Sequence, residues 1–584
     1  MDFKLIAPRK IGSTGLIQVL LNRGFTEEGI KHYLNTSDKD IIDPSTIMNI
    51  NEGARMLAKH IAAQSPTYLQ VDSDCDGFTS SAILLNYLNY HFPYYTQNCI
   101  YYSFHEGKQH GIDIDAIPEG TKLIICPDAS SEEYDKHAEL AAKGIDILII
   151  DHHNAERVSE NACVINNQLC DYPTKSLSGA GMVYKFCSYL DQIMNEEKAD
   201  DFLDLVALGC IADVMPLTDF ELRRLITKGL ANVNNPFLRA MISKNAYSMK
   251  NKVTPSGVAF YVAPTINAVT RVGNNNDKKL LFDSMLEFKA YKEIPSTKRG
   301  CKGQDETVVE QAVRNSTNVK KHQSDYRDEF SNMIVQKIKD ENLLENKILT
   351  ILIDKPDKNS KNITGLIANK LMSTYMRPVL LLSKVEEDGK IFWRGSGRNV
   401  SGSAIESFQQ FLKATELVEY ANGHDNALGV SIPDENIKEF ISKTNEFLKD
   451  ATFDICYNVD LLFQADNIDS NDILSIADSD FLWGQGIAEP YIAISNLSIG
   501  RFNTTLLQNK NKTSYTLKIQ VKEDLTIMKF GFSSEEYESL MPASEFGAVT
   551  IDLVGKCSRN TAWDNNPQIM MEDYEIKKRN DYYF

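Results

Sequence analysis

Long apolar runs are missing from this 584-residue sequence. None approaches the roughly 18 residues that a membrane helix needs, so no membrane partner is expected. The N-terminus, MDFKLIAPRKIGSTG, carries charge from Asp2 and Lys4 onward. It lacks an apolar stretch followed by a small-residue cleavage site and does not read as a signal peptide. Paired cysteines are missing too. No two of the ten cysteines form CxxC, which argues against a zinc ribbon or a dithiol redox motif. Several, such as Cys126 in KLIICPD and Cys210 in LVALGCIAD, sit in apolar runs where cysteine acts as a small buried hydrophobe. A reducing, cytoplasmic setting is the natural reading. Internal repeats and low-complexity tracts are absent. Basic residues are scarce: 62 Lys and Arg face 80 Asp and Glu, a net charge of −18. A domain that binds nucleic acid by bulk charge should be basic. Composition alone therefore argues against that partner.

What is present is ordinary for a globular chain: 42% hydrophobic and 24% charged residues. At about 150 residues per domain, three or four domains are expected. Residues 1–60 read as helical segments. From Tyr68, β-prone runs (TYLQV, CIYYSF, KLIIC, DILII, CVINN) alternate with helical stretches, the pattern of a parallel α/β sheet. This first unit, with the N-terminal helices, spans 1–275. Residues 276–345 are charged and mostly helical and read as a connector between domains, like solvent-bridging polar helices. A second α/β pattern (ILTILID, ITGLIANKLM, RPVLLLS, KIFWRGSGR) fills 346–450. From 451 to 584, and densely from Tyr491, short alternating strands fit a small barrel or sandwich.

The chemistry lies where β-prone or apolar runs end. TYLQV leads into Asp72, Asp74 and Asp76 in DSDCDG. KLIICP leads into Asp128, and DILII into Asp151, His152 and His153. Asp213 ends LVALGCIAD. In an open parallel sheet, functional groups gather beyond the carboxyl ends of the strands, so these residues would meet on one edge. Carboxylates with imidazole and no thiolate suit manganese or magnesium. Without cations they would raise one another's pKa. Two ions about 3.5–4 Å apart resolve the repulsion and serve hydrolysis of a phosphate ester or anhydride. An EF-hand loop is excluded, because the twelfth position counted from Asp72 is Ile83 rather than Glu.

VDSDCDGFTSSAILLNYL, CPDAS, IIDHHN and GCIADVMPL, in this order, resemble the four motifs of the DHH phosphoesterase superfamily. LSGAGMVYKFCSYL, VAPTINAVTRVGN, ITGLIANKL, GSGRNVSGSAIESF, NGHDNALG and FLWGQGIAEP add likeness to its RecJ-like single-strand-specific exonucleases. The resemblance implies a parallel-sheet catalytic domain, a DHH-associated α/β domain and a C-terminal OB-like β-barrel. It implies a two-metal phosphodiesterase, using Mn2+ or Mg2+, that degrades single-stranded DNA from the 5′ end to 5′-mononucleotides. It places one ion on Asp74 and the other on Asp76, with Asp128 bridging both. His152 and Asp213 complete one ion's shell, Asp72 supports the other, His153 meets the substrate phosphate, and Asp151 orients His152 or the loop. For the phosphate end of the substrate it points to Arg398 with Ser396, Gly397, Ser401 and Gly402 in a flexible, amide-rich loop, and to His424. Arg271 is a weaker candidate for a backbone contact. A helicase and a single-strand-binding protein are the partners it suggests for a monomeric enzyme.

His105 and His110 read as solvent-facing or structural. Trp393, Trp483 and Trp563 read as core rather than as base-stacking platforms. Two departures bear on the substrate grip: Thr265 stands where the family has arginine, and Asn422 replaces the first glycine of its Gly-Gly-His motif. Two other readings are a phosphodiesterase of short oligonucleotides or cyclic dinucleotides, and a non-catalytic replication scaffold. The strand-rich 451–584 region argues against the first, and the complete set of acids with His152 against the second.

Overall fold

A computed structural model describes residues 1–580 apart from 108, 302, 356–362, 401–402, 454–455, 509–513 and 562–563. Ser401, Gly402 and Trp563 therefore lie outside the described residues.

The chain opens with a strand, β1 (Asp2–Leu5), where helix was expected. The first α/β domain follows with β2 (Thr67–Val71), β3 (Ile100–Phe104), β4 (Leu123–Pro127), β5 (Asp146–Asp151) and β6 (Cys163–Asn166). All pair in parallel in the order β3-β2-β4-β5-β6. β2 and β4 are buried at every position, as sheets covered on both faces require. After β2 the chain steps to one side for β3 and then returns to the other side for β4. The topological switch point, where ligands bind in such sheets, therefore lies between β2 and β4. The residues that follow these strands are Asp72 and Asp128.

A short hairpin, β7 (Glu293–Pro295) with β8 (Asp305–Thr307), precedes a helix of 33 residues, Val308–Asp340. At 1.5 Å per residue it is about 50 Å long. Thr307 and Glu310 cap it reciprocally. Its ends are not solvated. Val309 and Ala312 join the core of the first domain, and Ile334 and Ile338 join that of the second. Leu281, Phe282 and Met285 also pack into the first core.

The second domain carries β9 (Leu349–Ile353), β10 (Val379–Glu387), β11 (Lys390–Arg398), β12 (Tyr420–His424) and β13 (Ala427–Pro433). They form a mixed sheet ordered β12-β13-β11-β10-β9. Ser396, Gly397 and Arg398, expected in a flexible loop, are instead the end of β11. That strand is bonded on both sides, to β10 and β13. Gly395 is what lets it run so close to β10: a Cβ there would meet the Leu381 carbonyl oxygen at 2.0 Å.

The C-terminal domain holds β14 (Cys456–Val459), β15 (Leu461–Gln464), β16 (Ile492–Ile499), β17 (Thr504–Gln508), β18 (Tyr515–Lys522), β19 (Leu525–Phe532), β20 (Ala548–Arg559) and β21 (Pro567–Asn580). Seven of them make a mixed sheet ordered β15-β16-β20-β21-β19-β18-β17. Among the described residues no pairing joins β15 to β17, so the described strands of this OB-like domain form an open sheet. β14 pairs instead with β1 in parallel. The N-terminal segment thus clamps the C-terminal domain. Arg23 grips the buried Asp460 through both nitrogens at 2.6 and 2.9 Å, and Arg9 grips Asp472. The pairing partner of β1 lies more than 450 residues away, a contact that local patterning does not encode.

The first and C-terminal domains share one continuous core, whereas the second has its own. Trp393 and Trp483 are buried at 5% and 3% exposure. No helix among the described residues is long and apolar enough to cross a membrane.

Candidate metal centre

The four acidic segments converge at the carboxyl edge of the first sheet. Asp74 ends the loop after β2 and caps the helix Cys75–His91, its Oδ1 accepting from the Gly77 amide at 3.0 Å. Gly77 is obligatory here, since a Cβ would sit 2.6 Å from that of Asp72. Asp76 points from the first turn of that helix into the start of the helix Gly179–Met194. It accepts from the Gly179 amide at 2.6 Å, the Ala180 amide at 3.1 Å and the Ser178 hydroxyl at 2.8 Å. The positive end of a helix dipole thus holds its charge. Asp128 follows β4 with φ +65°, a left-handed conformation that aspartate tolerates better than most residues. Asp213 is the C-cap of the helix Leu203–Ala212.

His152 lies at the centre. Its Nε2 is 3.2 Å from Asp128 Oδ1, 3.4 Å from Asp213 Oδ2 and 3.9 Å from Asp76 Oδ2. Asp76, His152 and Asp213 each offer a donor atom within 4.8 Å of one another; so do Asp72, Asp74 and Asp128. Asp128 belongs to the second group and borders the first through His152. Two donor sets with a shared edge are what a dinuclear centre needs.

The electrostatics point the same way. Burial, then the charges of Asp76, Asp74, Asp72 and Asp213, pushes Asp128 well above the carboxylate range. Burial and the neighbouring aspartates push Asp74 up to about 6 and Asp213 up to about 8. Burial holds His152 below the usual imidazole value, so its ring is neutral with a free lone pair. His152 Nε2 and Asp128 Oδ1 are both buried without a hydrogen-bond partner. Such orphaned atoms are costly unless something fills the gap. Hard oxygen donors with one imidazole fit manganese or magnesium.

A testable sign follows. Acids with raised folded pKa values stabilise the fold below their unfolded value near 4 and lose that contribution as pH rises through the folded value. For Asp74 and Asp213 that means about 6 and about 8. Metal-free protein is expected to melt at progressively lower temperature over this window. Manganese, which needs the ligands deprotonated, is expected to restore the loss, with a midpoint concentration that falls as pH rises. Thermal melts across manganese titrations at either end of the window check this. A midpoint insensitive to pH would count against the carboxylates as its ligands.

Asp151 was expected to orient His152 or the loop, and its contacts run to the loop backbone and to the ring of His153 rather than that of His152. It is fully buried, and burial works against its charge, yet the hydrogen bond from His153, the charges of His153 and His152 and a bond from Ser131 hold it well below the usual range. Its Oδ1 accepts from the His152 and His153 amides and from His153 Nδ1 at 2.8 Å, and its Oδ2 accepts from the Ser131 amide. It therefore orients the His153 ring. Burial opposes the imidazolium of His153, but Asp151 and the nearby Asp213 and Asp76 outweigh it and push it up to about 9.

His110, exposed, and His105, buried, read from the sequence as solvent-facing or structural, and both lie beside this site. His110 Nδ1 is 3.0 Å from Asp72 Oδ2, and the His110 ring meets that of His153 at 5.1 Å. His105 is 3% exposed, 4.0 Å from Asp72 Oδ1, with neither ring nitrogen bonded. The available signal was position: both follow β3 at the same carboxyl edge that carries Asp72.

Of the expected phosphate contacts, Arg398 and His424 lie at one end of the second sheet. They flank Ala427, which pairs with both. Ser396 is bonded to Thr364 at the first turn of the helix Thr364–Tyr375, and an Arg398 Nη faces Gly365 there. Burial and the neighbouring Arg271 both depress the Arg398 pKa. Arg271 has its Nε buried and unpartnered and feels Asp74 as its opposite charge. Lys320 of the long helix feels Arg271 as well. Arg271 thus borders the acidic centre, and Arg398 and Lys320 from two other elements lie close enough to feel its charge.

Residues 67–210 match the DHH family, N-terminal domain, and residues 344–450 match the DHHA1 domain. YorK, derived from the SPbeta prophage of Bacillus subtilis strain 168 and provisionally named a single-strand DNA-specific exonuclease, is 35% identical over 583 residues, 99% of this chain and 98% of its own. The single-stranded-DNA-specific exonuclease RecJ of the same organism is 27% identical over 96% of this chain and 68% of its own. The crystal structure of RecJ with Mn2+ from Thermus thermophilus shares the fold, at 18% identity and a TM-score of 0.68 over 97% of this chain and 76% of that one. With both DHH-type domains in order and a relative matched nearly end to end, the chain belongs to the RecJ-like branch of the DHH superfamily.

Proposed function

We propose that this protein hydrolyses single-stranded DNA from the 5′ end to 5′-mononucleotides with two divalent ions, manganese or magnesium. The observation that carries the reading is the pair of adjoining donor sets around Asp128 and His152, bordered by Arg271, which in turn neighbours Arg398. Asp74 and Asp128, with Asp72 in support, would hold one ion, and Asp76, Asp128, His152 and Asp213 the other. When bound, the ions supply Lewis acidity and an acidified water. Arg398, Ser396 and His424 fix the terminal phosphate on the second domain. Arg271 holds the backbone between the domains. His153, protonated at neutral pH and aligned by Asp151, offers Nε2–H to a phosphoryl oxygen. The new bond joins the water oxygen to phosphorus; the bond to the 3′-oxygen breaks, and that oxygen takes up a proton.

The reading extends to a cytoplasmic monomer working beside a helicase and a single-strand-binding protein, and the set of free cysteines, most of them buried, suits a reducing compartment. The assay is digestion of 5′- and 3′-labelled single strands, duplex and a dinucleotide, with and without manganese. Metal-dependent loss of the 5′ label as a mononucleotide, from long single strands only, is expected. Equal turnover of the dinucleotide would favour a short-oligonucleotide phosphodiesterase instead.

A further inference from the structure

A groove of about 670 Å3 runs from beside the metal centre along the boundary between the first and C-terminal domains. Its inner end adjoins residues that neighbour the centre. Asn267 lines it and accepts from the Cys75 amide, between Asp74 and Asp76, at 3.0 Å. Val214, next to Asp213, lines it too and is 55% exposed. The two walls are pinned together: the Leu217 amide donates to the Gln485 carbonyl, and the Ser256 hydroxyl to the Trp483 carbonyl. One wall is a π-helical turn, Val258–Val262. Such turns insert an extra residue into a helix and recur at functional sites. This one carries Phe260, 75% exposed, and Tyr261, 41% exposed, both facing the groove. Two large aromatic rings left in water beside a reaction centre are an apolar surface without an occupant.

The charges say what suits it. Lys252 is paired with Asp480 and Lys556 with Glu489, each at 2.9 Å. Those two cations are neutralised, and Lys250 is the one groove-lining cation with no ion pair among the described residues, too little charge for the groove to grip a run of phosphates. It offers rings, and every base has a face that stacks on a ring. Resting on the exonuclease reading, we propose that Phe260 and Tyr261 are stacking platforms for the bases of the strand that trails the scissile phosphate. They give an enzyme of net charge −18 a grip that does not depend on bulk positive charge.

The test is metal-free binding of a short 3′-labelled oligothymidylate, followed by fluorescence anisotropy, against the same strand with consecutive abasic sites. Phe260→Ala is expected to weaken binding of the base-bearing strand about tenfold, the scale of one lost stack, and Phe260→Trp to retain it. Tyr261→Ala is expected to act in the same direction. On the abasic strand the wild type and Phe260→Ala are expected to bind alike. A wild type that binds both strands equally, or a Phe260→Ala loss of the same size on both, would overturn the proposal. Release of mononucleotides by the wild type with manganese is measured in parallel. Base-dependent binding without release would remove the exonuclease reading and leave the stacking groove standing.

Discussion

Asp128→Ala is expected to cut manganese-dependent release of mononucleotides by at least about a thousandfold, equivalent to about 4 kcal/mol of transition-state stabilisation. Asp128 is the carboxylate that adjoins both donor sets, so its loss disables both ions together rather than weakening one. Asp128→Asn separates this from unfolding. In the metal-free protein the carboxyl is already pushed well above the usual range by burial and four neighbouring aspartates. An amide of the same shape is therefore expected to leave the metal-free melting temperature unchanged while abolishing both activity and the rise in melting temperature on adding manganese. A variant that kept wild-type turnover would refute the two-metal assignment.

Arg398→Ala is expected to lower kcat/KM on a 5′-phosphorylated strand by about 10- to 150-fold, the range set by losing about 1.5–3 kcal/mol of hydrogen bonding to a charged group. The guanidinium is half-buried beside a second guanidinium and donates to the Gly397 carbonyl. A bound phosphate relieves that repulsion. Arg398→Lys is expected to recover part of the loss, because lysine keeps the charge but not the planar fork. A strand with a 5′-hydroxyl is expected to lose less in Arg398→Ala than a phosphorylated one. Steady-state kinetics on the two substrates decide; the same ratio on both would mean that Arg398 does not read the terminal phosphate.

Both residues were visible in the sequence, for different reasons. Asp128 follows a run of buried β-prone residues, and the alternation of strands and helices puts that position on the active edge whatever the rest of the chain does. Arg398 stood out only by resemblance to a known family. The sequence suggested a loop of glycines and serines around it, whereas pairing on both sides makes the segment a strand. His105 and His110 follow a β-prone run and so belong to a loop at the same edge, but only the fold shows that His110 lies 3.0 Å from Asp72. The 2–5 strand was missed because its partner lies at 456–459. Nothing local marks the aromatics at 260 and 261, and only the domain boundary leaves them in solvent.

The sequence by itself determined the parallel sheet, the order of the acids along it and the hard-donor chemistry of the site. Those properties are local: strand periodicity fixes the carboxyl ends, and residue type fixes the ligands. The tertiary structure decided what lies across from them. Arg271 meets Asp74, and Lys320 and Arg398 meet Arg271, only because the long helix and the second sheet are brought to the first domain by the fold. The scarcity of basic residues therefore says little about the substrate: net charge sums over the whole surface, whereas binding depends on the few charges and rings that folding brings to one place.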